Sequence, residues 1–180
     1  MPAYAKFDVW QSTAGVTKPT VLQVVSAQYT GVFGMGTITT PLDVTGFQAT
    51  ITPTSNTSKI LVLVTGFMGG GNDVYPYLIL KRNGTAIGNG ETSGGIATGV
   101  FANFPGTALG DTLLYALRTI KNNFLDSPET TSALTYQIAM ANPYNPYATS
   151  AFINRQVTQI LSASYTQQTS SSITLMEIGG

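Results

Sequence analysis

The chain of 180 residues has no cysteine and no histidine. Without cysteine there are no disulfide staples, thiolate metal sites or thiol nucleophiles. Without histidine, Ser-His-Asp and Cys-His systems are excluded, together with the commonest general base and metal ligand. Charge is also scarce: charged residues make up 9% of the chain, and eight basic and eight acidic residues cancel. An average soluble domain is roughly a quarter charged, so Ser, Thr, Asn, Gln and Gly must cover this surface. Little electrostatic repulsion then keeps copies of the chain apart, which favours self-association.

Long apolar runs are missing as well. None is longer than Ile60 to Val64, far short of the roughly 18 residues of a membrane-spanning helix. No signal-peptide core follows Lys6, so the expectation is a protein made in the cytoplasm with no membrane step. Clustered Lys and Arg, which phosphate binding needs, are absent apart from Lys81-Arg82. That pair precedes Asn83-Gly84 and reads as the solvated end of a hairpin strand. Nucleic acid is therefore not an expected partner.

Helical periodicity is nearly absent. Short runs rich in Val, Ile, Leu, Thr and Tyr recur between Gly, Pro, Asn and Ser clusters, the pattern of a β-sandwich or barrel. The spacing predicts strands over Leu22–Tyr29, Phe47–Ile51, Lys59–Phe67, Tyr75–Arg82, Thr112–Ile120, Ala133–Ala141, Ser150–Arg155 and Ser172–Ile178. Asn83-Gly84 predicts a type I′ hairpin, whose central residues both need positive φ. The consecutive apolar residues Ile60 to Val64, and Ile173, Leu175, Met176 and Ile178 in the last strand, predict strands covered on both faces. Residues 1–20 read as an extended N-terminal arm, with Phe7, Val9 and Trp10 as docking groups and Trp10 as the anchor. Residues 21–180 form the sandwich domain.

The search for chemistry is negative. Asp126 and Glu129 lie close together but flank Pro128 in an apparent turn, where Asp commonly bonds the backbone. Gly88-Asn-Gly90-Glu-Thr-Ser-Gly94-Gly95 has the wrong spacing for a phosphate loop and no closing Lys-Ser/Thr. Calcium at Asp43 or Asn72-Asp73 would need oxygen ligands converging from several loops. No enzymatic activity, cofactor or metal is expected. Tyr144 and Tyr147, on the loop Asn142-Pro-Tyr-Asn-Pro-Tyr147, are candidate ligand-contacting residues for a sugar or a protein.

Five blocks carry a resemblance: Phe7–Gly15 (FDVWQSTAG), Leu42–Leu61 (LDVTGFQATITPTSNTSKIL), Lys81–Gly88 (KRNGTAIG), Phe124–Pro128 (FLDSP) and Ser171–Ile178 (SSITLMEI). Together they resemble a surface module of cyanophage and other marine-phage virions. The resemblance implies an all-β antiparallel jelly-roll sandwich similar to the trimers of the tumour-necrosis-factor and complement type. It also implies a homotrimer on the virion surface, contacting the major capsid protein or other virion proteins. Alternation within the strands offers Tyr136, Ile138, Met140, Ile173 and Leu175 as trimer-interface residues. The expected role is a head decoration or cement protein of a bacteriophage. The alternative is a tail-fibre or spike knob that binds a host surface glycan.

Overall fold

A computed structural model describes residues 20–36, 38–70, 76–90, 99, 101–102, 117–142, 151–157 and 167–179. The strands, in chain order, are β1 (Val21–Tyr29), β2 (Phe33–Met35), β3 (Ile38–Ile51), β4 (Lys59–Gly70), β5 (Tyr77–Arg82), β6 (Thr85–Ile87), β7 (Phe101–Ala102), β8 (Arg118–Asp126), β9 (Leu134–Asn142), β10 (Ala151–Ile153) and β11 (Ser171–Ile178). They form two antiparallel sheets packed face to face. In the first, β1, β11, β4 and β8 lie side by side, and β10 and β2 extend the far end of β4. The second runs β3-β9-β5-β6, with β7 also on β5. Strands distant in sequence are thus neighbours, and the two orders together are those of a jelly roll built from two Greek keys. The chain is an all-β antiparallel sandwich.

Side-chain alternation places the core. Ile60, Val62 and Val64 of β4, Ile173 and Leu175 of β11, and Tyr136, Ile138 and Met140 of β9 point between the sheets and are essentially inaccessible. Fully burying each such aliphatic group stabilises the fold by about 1.5–3 kcal/mol relative to exposure. Phe47 of β3 stacks on Tyr29 of β1, with ring centroids 5.3 Å apart, and joins the two sheets along one edge.

One turn follows directly from the sequence, and a second, at Asn154, interrupts an expected strand. Asn83 and Gly84 take φ of 48° and 83°, and β5 pairs with β6 from Arg82 to Thr85, so the two-residue hairpin is present as expected. Asn154, just after β10, takes φ of 66°. Its amide donates to the carbonyls of Tyr29 and Gly31 at 2.9 and 2.8 Å, and its oxygen accepts the Ser171 hydroxyl at 2.6 Å. Asn is among the residues that tolerate the left-handed region best, and here its side chain ties β1, the β1–β2 turn and β11 together.

Several strands differ from the sequence expectation in extent. β3 starts at Ile38, well before Phe47, and absorbs Pro41 and Gly46 through irregular register. Thr112–Ile120 overlaps β8 only over Arg118–Ile120, and the strand continues through Lys121-Asn-Asn123 to Asp126. The expected Ser150–Arg155 strand contains β10, Ala151–Ile153, and β5 begins at Tyr77. Residues 112–116 and Tyr75 lie outside the described residues.

Candidate functional site

Three described carboxylates, Asp43, Asp126 and Glu177, are engaged structurally, and Glu129 is exposed. Asp126, the last residue of β8, is 7% exposed and accepts Arg82 Nη1 on both oxygens at 2.8 Å. The Tyr136 hydroxyl donates to the same group at 2.6 Å. Burial first, then the bond to Asp126, pushes the Tyr136 phenol far above its ordinary range. The expected backbone-turn role of Asp126 is thus replaced by a link from β8 to β5 and β9 across the sandwich. The expected solvated pair Lys81-Arg82 is likewise engaged, since Lys81 Nζ pairs with Asp43 at 2.5 Å.

Glu177 of β11 is fully buried. Burial alone would raise its carboxyl, but hydrogen bonds outweigh that effect. Gln23 donates at 2.6 Å, and the Thr54 hydroxyl and backbone N–H each donate at 2.7 Å, holding the group at about 2. Among the described residues no group of three or more His, Cys, Asp or Glu gathers in a metal-binding arrangement. The sequence carries no recognisable catalytic motif. No described helix is long and apolar enough to cross a membrane.

The five residues expected at a trimer interface, Tyr136, Ile138, Met140, Ile173 and Leu175, are each 0% exposed within the single chain. Their side chains fill the space between the sheets, so they are unable to meet a neighbouring subunit, and the expectation is corrected on that ground. Phe7, Val9 and Trp10, and the loop tyrosines Tyr144 and Tyr147, lie outside the described residues.

The alternate residues of the same strands face outward. Val24 of β1 is opposite Met176 of β11, Met176 is opposite Leu61 of β4, and Leu61 is opposite Leu125 of β8. One apolar rung therefore crosses all four strands on the outer face of the first sheet. Val24 and Leu125, at its two ends, are 54% and 51% exposed, and Leu61 and Met176 are half-buried between them. Beside the rung lie Leu63 and Ile178, both half-buried. The next rung, Ser26–Thr174–Leu63–Asn123, is polar apart from Leu63, with the Ser26 and Thr174 hydroxyls 2.8 Å apart. The sequence signal for this surface is the unbroken apolar run of β4 and the Met176/Ile178 pair of β11. These show that both faces are apolar without showing which is the core.

No family model matches the chain, and no curated protein matches it. Among solved structures, the T13 viral particle of infectious bursal disease virus aligns over 99% of this chain and 41% of its own, at 12% identity and a TM-score of 0.44. T=1 particles derived from that virus align at 12% identity and a TM-score of 0.42, over 99% of this chain and 42% of theirs. The VP2 subviral particle gives 12% identity and 0.39, over 99% and 44%. The chain spans less than half the length of these proteins. The resemblance to a phage surface module is corrected here, because no family model supports it and these aligned structures come from infectious bursal disease virus.

Proposed function

We propose that the chain is a non-enzymatic structural subunit of a virus particle, acting as a homo-oligomer on the particle surface. The observation that carries this reading is the outward rung Val24–Met176–Leu61–Leu125. Large apolar side chains in contiguous outward positions mark an interaction surface. In a chain of zero net charge with 9% charged residues, little opposes copies coming together. The jelly-roll strand order is one that virus shells use, and it supports the finer reading of a trimer of the tumour-necrosis-factor and complement type. Within the particle the chain decorates or cements the shell.

Sedimentation equilibrium tests the oligomer. The wild-type chain is expected to associate at micromolar concentration, and Leu125→Asp and Val24→Asp, both at exposed positions, are expected to shift it to monomer with unchanged circular dichroism. A wild-type chain that stays monomeric and fails to bind particles would overturn the reading. Copy number per particle by quantitative mass spectrometry separates the roles: a count comparable to the shell protein means decoration, and a few tens or fewer means a spike.

A further inference from the structure

The sequence contains two Asn-Gly pairs, Asn83-Gly84 and Asn89-Gly90, in otherwise similar settings. All four residues are exposed, and a side chain at either glycine would meet no atom within 4 Å. Packing therefore shields neither pair. Hydrogen bonding separates them. Asn83, at the tip of the β5–β6 hairpin, is clamped by Thr135 of β9. Its backbone N–H donates to the Thr135 carbonyl at 2.9 Å, and its Oδ1 accepts the Thr135 N–H at 2.8 Å. Asn89 lies beyond β6, outside any strand, and no hydrogen bond to a described residue holds it.

An asparagine amide can be attacked by the backbone nitrogen of the residue that follows. Glycine opposes this least, because it has no Cβ and leaves the backbone free to turn. At Asn89 the Gly90 nitrogen gives up its proton to solvent base and adds to Cγ. A C–N bond forms, the Cγ–Nδ2 bond breaks, and ammonia leaves after taking a proton from water. The cyclic imide then adds water at either carbonyl. Opening at Cγ restores the ordinary chain as aspartate, and opening at the backbone carbon leaves isoaspartate. Both products carry a negative charge where the amide had none. At Asn83 the same closure must rotate the side chain against the backbone, and Thr135 fixes both. The hairpin has to open locally from β9 before the ring can form.

We propose that Asn89 is a site of spontaneous modification, converted to aspartate and isoaspartate in the folded chain, while the Thr135 clamp protects Asn83. Basic and acidic residues balance in the unmodified chain, so each conversion leaves a copy with a net negative charge. An ageing population of copies grows more acidic and gains mutual repulsion.

The test incubates the purified full-length chain at mildly alkaline pH, folded and in urea. Isoelectric focusing follows the acidic form, and fragmentation of the tryptic peptide from Asn83 to Arg118, which carries both pairs, locates it. In the folded chain Asn89 is expected to convert about tenfold faster than Asn83 or more, given the two hydrogen bonds that hold Asn83. In urea the clamp is gone and the two rates should converge. Asn89→Gln should abolish the early acidic form, because glutamine would have to close a larger ring. Equal rates in the folded chain overturn the proposal, as does an Asn89 that converts only in urea. A gap between the two positions that persists in urea would assign the order to sequence alone and overturn the protection by Thr135.

Discussion

Glu177 occupies a core position on a strand whose other inward residues are Ser171, Ile173 and Leu175. An ionised carboxylate there is tolerable only because three donors meet it. Its folded pKa, about 2, lies below the ordinary 4.5, so the sign is fixed. The group contributes stability above pH 4.5, and the contribution disappears as pH falls toward 2. The full difference is worth about 3 kcal/mol. Urea midpoints measured between pH 6 and pH 2 should fall over that window, and Glu177→Gln should flatten that part of the curve. The Arg82–Asp126–Tyr136 link is testable in the same way. Tyr136→Phe removes one donor to a charged acceptor and should cost about 1.5–3 kcal/mol by urea denaturation. Asp126→Ala strands Arg82 and should cost about 3 kcal/mol or more.

Among the elements, the β5–β6 hairpin was plain from Asn83-Gly84, because few other residue pairs accept two positive φ angles. Gly84→Ala places a side chain at φ 83° and should lower stability by about 1–2 kcal/mol, readable as a lower melting temperature. β4, β9 and β11 were equally legible, since their inward residues form dense aliphatic runs. The first half of β3 was not: Pro41 and Gly46 look like breakers, and only the irregular pairing with β9 accommodates them. The second half of β8 was hidden by Lys121-Asn-Asn123, whose polarity is allowed because β8 pairs with β4 alone among the described strands. The candidate surface was half legible. Consecutive apolar residues showed that two faces existed, but the choice of core face depends on partners distant in sequence. The carboxylate of Glu177 argues locally for an outward Ile173–Leu175 face, and only Gln23 and Thr54, brought from elsewhere, reverse it.

At the scale of the whole molecule, Asp126 and Glu177 are engaged internally, and the outer face of the first sheet turns one apolar rung toward solvent, with Lys59 and Lys121 exposed beside it. That distribution is expected to make association insensitive to salt. Raising sodium chloride from 50 to 500 mM should leave the sedimentation-derived association constant unchanged or slightly strengthened, because screening weakens charge pairs and not apolar contact. A steep loss with salt would assign the assembly to charges instead.

Gln23 of β1 and Glu177 of β11, joined by a hydrogen bond, are 154 residues apart. Such pairing gives the sandwich a high contact order, and domains of this kind refold in milliseconds to seconds. A ribosome that has not yet delivered residues 171–178 leaves β1 without a strand to pair with. Its sequence, VLQVVSAQY, bears neither charge nor proline to discourage a wrong partner. The interval before β11 emerges is therefore when a nascent copy is most exposed to aggregation, and the cell's holding chaperones have most reason to engage it.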